Sequence, residues 1–276
     1  MSFRIVADSS SDVLELTRIP FASAPLTIIA GDHTYIDDPD LNVAGMVSDL
    51  RVHKGKTSTA CPAPHDWLTA FDDAEYILCF TITSVLSGSY NSAKVAAHEY
   101  EEMHPGRRVF VMDTLSTGPE MRLLIERAED LISSGLDFDS VVAALTAYSR
   151  ETHLLFCLRS LHNLVVNGRV NPAIGALVGL LGIRVIGCAS AKGDLEIIGK
   201  ARGDKKAVQT NLNAMRDRGF SGGKVRIDHC DNEEAAQALR DLILAEWPSA
   251  DVIIGPARGL CSYYAEDGGL LIGFEG

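Results

Sequence analysis

Three short turns gather the groups in this chain that could hold or attack a ligand: Asp8-Ser9-Ser10-Ser11-Asp12, Thr83-Ser84-Val85-Leu86-Ser87-Gly88-Ser89 and Asp113-Thr114-Leu115-Ser116-Thr117-Gly118. Hydroxyls and backbone N–H groups in such turns suit the capture of an anion, and a hydroxyl or thiol also serves as a nucleophile when a base lies beside it. Each turn follows an apolar run of strand length, at residues 3–7, 76–81 and 108–112, and precedes a helical pattern. In an open parallel sheet, the loops beyond the carboxyl ends of the strands converge on one crevice. That crevice is expected to be rich in hydroxyls and backbone N–H groups.

The elements that position these turns follow from the alternation of short apolar runs with longer amphipathic segments, the pattern of a parallel sheet covered by helices. Helices are predicted over residues 89–102, 120–134 and 140–150, the second stopping at Gly135 and the third capped by Asp139 or Ser140. In the second half, strands are predicted over 152–158, 184–190, 195–201, 224–229 and 251–255, with helices over 161–167, 205–218 and 232–246. Lys192-Gly193-Asp194 between two strand-like runs reads as a hairpin, which makes the second sheet mixed. The chain has 276 residues, in the range where one core stops growing at roughly 250–300 residues. We therefore expect two α/β domains, residues 1–150 and 151–276, with a ligand cleft between them.

Composition narrows the function. A formal charge of −12 with 22% charged residues disfavours a nucleic-acid or anionic-membrane surface. The start at Phe3-Arg4-Ile5-Val6 reads as a first strand rather than a secretory signal, so a cytoplasmic protein is expected. The apolar run at 170–183, bounded by Arg169 and Arg184, is shorter than the ~20 residues of a membrane span and reads as a buried helix. The cysteines at 61, 79, 157, 188, 230 and 261 form neither a Cys-x-x-Cys pair nor a Cys/His cluster, so no metal site is expected. Gly193 to Lys200 resembles a phosphate loop but has one residue too many between its glycines and lacks the metal-binding hydroxyl. No dinucleotide-binding glycine pattern follows the first strand, and Ser87 is not in a Gly-x-Ser-x-Gly elbow.

Taken in order, several segments resemble the DegV family of lipid-binding proteins over almost the whole chain. They are Ile5-Val6-Ala7-Asp8-Ser9-Ser10-Ser11-Asp12, Pro25-Leu26-Thr27-Ile28, Tyr35-Ile36-Asp37-Asp38, Lys56-Thr57-Ser58-Thr59-Ala60-Cys61-Pro62, Thr83 to Ala93, Met112 to Gly118, and Asn167-Gly168-Arg169-Val170. The sharpest is Ser87-Gly88-Ser89-Tyr90, similar to the family's Ser-Gly-Thr-Tyr block. The resemblance implies two α/β domains with a long-chain fatty acid at their junction, presented to a separate fatty acid kinase subunit. It also implies a binding protein with no catalytic residues of its own and no cofactor, acting in fatty acid metabolism and phospholipid synthesis.

For such a ligand the head group needs donors, because a buried carboxylate is costly unless satisfied. Thr57 or Ser58, Ser87, and the backbone N–H groups of Gly88 and Ser89 are the candidates, with Arg169 either holding the domains together or meeting the ligand rim. Leu26, Ile28, Ile174, Leu177, Val178 and Ile186 are candidates for the apolar lining. The pattern departs from the family at Cys61, where a Ser is frequent, and at Cys261, where a His is common. The family's following Gly-Pro-Gly gives way to Tyr263-Tyr264-Ala265-Glu266-Asp267-Gly268-Gly269. Loss of the imidazole removes a donor and leaves Cys261 as a weak one; Arg258 is the candidate substitute, and the acidic pair disfavours a second anion. The basic segment Lys200 to Lys206 looks like the region where relatives meet an acidic kinase partner, and is also readable as simply a solvated strand-to-helix turn. Two further readings stay open: an acyl or phosphoryl transferase using Ser87 or Cys61, with His65 or His229 as base, and a lipid-responsive regulatory protein.

Overall fold

The computed structural model describes residues 2–171 and 182–276. The first half runs β1 (Phe3–Asp8), β2 (Phe21–Ala24), β3 (Thr27–Ala30), β4 (His33–Ile36), α1 (Val43–Val52), β5 (Thr57–Ala60), α2 (Pro64–Phe71), β6 (Tyr76–Thr81), α3 (Ser89–Met103), β7 (Arg108–Asp113), α4 (Gly118–Ser133) and α5 (Phe138–Tyr148). The second half runs β8 (Thr152–Leu158), α6 (His162–Val166), β9 (Ile183–Ala189), β10 (Leu195–Arg202), α7 (Asp204–Arg216), β11 (Lys224–His229), α8 (Glu233–Glu246), β12 (Asp251–Pro256), α9 (Gly259–Ala265) and β13 (Leu270–Glu275).

Strands β2-β1-β6-β7 form a wholly parallel sheet. Their near-continuous apolar runs are buried on both faces, which is what a parallel sheet flanked by helices requires. Trp67, Phe71, Ala93, Ala96 and Tyr100 from α2 and α3 cover one face, and Met121, Leu124, Ile125, Val141 and Leu145 from α4 and α5 cover the other. A mixed sheet of order β10-β9-β8-β13-β11-β12 carries the second half, and only β11 and β12 run parallel within it. Residues alternate along β8: Leu155 and Cys157 pack toward α7 and α8, whereas Leu154, Phe156 and Leu158 face the opposite side. A small antiparallel sheet β4-β3-β5 lies between β2 and β6 in sequence. Among the described residues no strand pairing joins the elements before residue 150 to those after it.

The predicted strands and long helices stand within a few residues of their expected bounds, and Lys192-Gly193-Asp194 does turn the β9–β10 hairpin. Asp137, rather than Asp139 or Ser140, caps α5 by accepting from the Ser140 N–H. The sequence reading left out β2 to β5, α1, α2, α9 and β13. The strands β2 to β5 are four residues each and carry too few apolar residues to show a period. The helix expected over 170–183 lies, apart from its ends, outside the described residues. Among the described residues no helix is long and apolar enough to cross a membrane.

Helix α4 joins the two halves, packing on β1 and β6 on one side and on β8, β11 and β13 on the other. Glycine at 273 makes this possible: a Cβ there would lie 2.4 Å from the carbonyl carbon of Pro119. Buried polar contacts cross the same junction. Arg226, almost fully buried, donates to Glu126 at 2.7 Å, and Glu120 accepts from the Thr152 hydroxyl at 2.9 Å and from the Ser116 hydroxyl. Burial pushes the Glu120 carboxyl up to about 7, although the Ser116 and Thr152 hydroxyls pull it partly back. Because the folded value lies above the unfolded one, the contribution of Glu120 is complete below its ordinary value of 4.5 and is lost as the pH rises through about 7. Glu120→Gln should therefore gain stability relative to the unsubstituted chain across that window, by at most about 3 kcal/mol at the alkaline end. Urea unfolding of both proteins as a function of pH measures the difference; a gap that does not change with pH would refute it.

Candidate functional site

The carboxyl ends of β1 and β6 are tied together by one buried side chain. Asp8 accepts from the Ile82 N–H at 2.8 Å, the Ser89 hydroxyl at 2.5 Å, the Ser10 hydroxyl at 2.5 Å and the Ser10 N–H at 3.2 Å. Burial raises its pKa, and these donors offset part of the rise. The effect is to fix the first residue of α3 against the end of β1, so that Ser87 and Gly88, just ahead of the helix, have a set position. The Ser87 hydroxyl accepts from the Ser89 N–H at 3.2 Å.

Ser87 and Gly88 open onto a cavity of about 330 Å³, at the lower end of the range usual for ligand pockets. Leu154, Phe156 and Leu158 of β8, Leu195 of β10 and Leu271 of β13 form one wall, from the face of the mixed sheet that α7 and α8 leave free. Leu26, Ile82 and Leu86 contribute from the other half of the molecule, and Leu260 of α9 adds to the lining. Polar groups lie among the lining residues. The Thr59 and Tyr264 hydroxyls share a hydrogen bond of 2.9 Å, Arg169 donates to the Asn167 carbonyl at 2.9 Å, and Cys61 lies against Gly88, where an added Cβ would be 3.1 Å from its Sγ. Arg169 is the one positively charged side chain among the described residues that line the cavity.

Of the predicted ligand residues, Ser87, Gly88, Arg169 and Cys261 line this cavity. Thr57, Ser58, Ser89 and Arg258 do not. Thr57 bonds the Tyr263 hydroxyl at 2.6 Å and faces a neighbouring hollow, Ser58 is exposed on β5, and Ser89 is engaged with Asp8. Arg258 donates to the Asp38 carbonyl at 2.7 Å, while Asp37 accepts from the N–H groups of Gly259 and Leu260 at the start of α9. The buried thiol of Cys261 meets the Ser10 carbonyl at 3.3 Å and Thr117 at 3.8 Å. Burial holds its pKa well above the ordinary thiol value, and the nearby Asp12, Asp228 and Asp37 carboxyls add to the rise. Glu266 and Asp267 lie in the neighbouring hollow, where Asp267 pairs with Arg51 at 2.5 Å. Neither His65, in α2, nor His229, at the end of β11, lines the cavity.

Of the expected lining, Leu26 stands in the cavity wall, Ile28 and Ile186 are packed in the buried clusters beside the parallel and the mixed sheet respectively, and Ile174, Leu177 and Val178 lie outside the described residues. Thr59, Thr117 and Tyr264 went unread as site residues. For Tyr264 a signal existed: on a helix it stands three residues from Cys261, and both side chains meet the cavity together with Ala265.

The model of the DegV family matches residues 2–275. The chain is a member of the DegV family. A DegV domain-containing protein of Streptococcus pneumoniae is 44% identical to it over 279 aligned positions, covering 100% of this chain and 99% of the relative. The Fatty Acid Kinase (Fak) B3 protein of S. pneumoniae, solved loaded with linoleic acid, superposes with a TM-score of 0.98 at 44% identity and covers 100% of this chain and 99% of its own. A DegV family protein from Eubacterium eligens, loaded with heptadecanoic acid, gives 0.97 at 43% identity and covers 99% of both chains. This DegV chain thus has an α/β architecture shared with structures that carry bound fatty acids.

Asp8→Ala leaves the Ile82 N–H and the Ser89 hydroxyl buried without an acceptor. It should lower the unfolding free energy by about 3 kcal/mol, measurable by denaturant titration; a loss within the error of the method would mean that Asp8 does not anchor α3.

Proposed function

We propose that this protein binds a long-chain fatty acid in the cavity between its two halves, residues 1–150 and 151–276, and presents the carboxyl group to a separate kinase subunit that forms the acyl phosphate. The observation that carries the reading is the lining of the cavity, apolar for the most part, with the hydroxyls of Ser87, Thr59 and Tyr264 and one guanidinium, that of Arg169, among its described residues. The family relationship to proteins solved with linoleic and heptadecanoic acid supports the same ligand class.

In this reading Arg169, the Tyr264 and Thr59 hydroxyls and Ser87 receive the carboxylate, and Gly88 lets the head group approach the start of α3. The acyl chain lies against Leu154, Phe156, Leu158, Leu195 and Leu271. Each methylene taken from water contributes about 0.8 kcal/mol, so affinity comes chiefly from the tail and orientation from the rim. The imidazole missing at Cys261 leaves that part of the wall without a strong donor, and the rim carries the head group instead. Chemistry by the protein itself would call for a base beside Ser87 or Cys61, and the described residues that line the cavity supply no histidine or carboxylate. The kinase provides the nucleotide and the transfer step.

Native mass spectrometry of the purified protein, followed by organic extraction, should return about one fatty acid per chain, and a protein that stays empty after incubation with added fatty acids would overturn the proposal. Arg169→Gln should weaken fatty-acid binding by about tenfold or more while leaving the corresponding fatty alcohol unaffected, because a hydrogen bond to a charged group is worth about 1.5–3 kcal/mol. Equal losses for acid and alcohol would place Arg169 away from the head group.

A further inference from the structure

One wall of the cavity contains a pair of strand residues whose packing leaves no room for a side chain at one of them. Phe156 of β8 and Gly187 of β9 stand directly opposite each other across the two strands. The Phe156 ring lies across the glycine: a Cβ at position 187 would fall 2.1 Å from Cζ and 2.5 Å from Cε2 of that ring. Ordinary van der Waals contact between carbons is about 3.5–4.0 Å, so the ring occupies the space that any other residue at 187 would take. Phe156 is itself buried and lines the cavity, on the same face of the sheet as Leu154 and Leu158.

Resting on the fatty-acid reading above, we propose that Gly187 sets which acyl chains fit, by giving the Phe156 ring a place to lie flat against β9 and thereby keeping cavity space open for the tail. With any side chain at 187 the ring must leave the glycine, and the open volume on that face of the sheet is the cavity. The ring then occupies space that the tail would otherwise fill. Cores of this density do not absorb such a displacement elsewhere without strain. Phe156 and Gly187 therefore act as one specificity element, the aromatic as the movable part and the glycine as its seat.

A second contact at Gly187 must be separated from the first, because its Cβ would also lie 2.5 Å from the backbone carbonyl oxygen of Glu196 in β10. Replacing Phe156 with leucine removes Cζ and Cε2, the atoms that meet position 187, without touching the Glu196 contact. The test uses the full chain as wild type, Gly187→Ala, Phe156→Leu and the double variant, each checked for folding by circular dichroism. Each is equilibrated with an equimolar series of straight-chain saturated acids and read by native mass spectrometry.

Gly187→Ala should shift the bound distribution to shorter acids, with the longest acid held by wild type depleted by roughly tenfold, the equivalent of about two unburied methylenes. Phe156→Leu should shift it to longer or bulkier acids, and the double variant should recover the long acids lost by Gly187→Ala. A folded Phe156→Leu protein with the wild-type distribution would overturn the proposal. So would a double variant that keeps the defect of Gly187→Ala, since the effect would then come from the Glu196 backbone. A wild-type protein that takes up no acid at all removes the fatty-acid reading itself, a result distinct from a loaded wild type whose distribution the variants leave unmoved.

Discussion

A carboxylate taken out of water must be met by donors, and Asp8 meets its own from separate stretches of chain: its own turn, the loop after β6 and the first residue of α3. The cavity-facing part of the N-terminal half is arranged around that arrangement. Because Ser89 is bonded to Asp8, Ser87 and Gly88 are held where the parallel strands end and the mixed sheet begins. The same geometry explains why Ser89 is buried and engaged while its neighbours are presented to the cavity. A hydroxyl turn thus divides its residues between holding the frame and facing the cavity.

The opposite wall follows from a different constraint. A mixed sheet has two faces to cover, and α7 and α8 cover one with Ala207, Leu212, Ala236 and Leu239. On the other face, α9 and α6 bring Cys261, Ala265 and Leu164 to part of the surface. The side chains left between these and the N-terminal half are leucines and one phenylalanine, so the space they enclose is apolar by construction. Helix α4 lies between the two halves, and its close seat on β13 leaves no room for a side chain at Gly273.

Much of the frame was legible because parallel strands and their helices leave strong, opposite periodicities in the sequence. Residues 76–81 and 108–112 could hardly be read otherwise, and the hydroxyl turns after them marked the crevice. The eventual position of each hydroxyl was not legible. Thr57 and Thr59 are two residues apart on one short strand, and only the placement of Tyr263 and Tyr264 sends the first to a neighbouring hollow and the second to the cavity. The alternation along residues 152–158 was visible, but nothing local says which face meets helices and which meets a void. For Arg258 the sequence placed it correctly at the end of β12, yet its pairing with the Asp38 carbonyl depends on a loop more than two hundred residues away. Tyr263-Tyr264, read as the loss of a family motif, in fact supplies one of the rim hydroxyls.

The position of β13 bears on how the molecule comes into being. Leu270–Glu275 lies between β8 and β11, in the interior of the mixed sheet, and donates Leu271 to the cavity wall. During synthesis, the parallel sheet and its helices can close as soon as residue 148 has left the ribosome, since each of their pairings is satisfied within that length. Strands β8 and β11 have no such option: the partner that joins them is more than a hundred residues downstream of β8. Until it arrives, the nascent chain holds a finished first half beside an open, unpaired seam. The cavity is therefore complete only once β13 has paired, and a chain stalled before residue 270 lacks Leu271 in its wall.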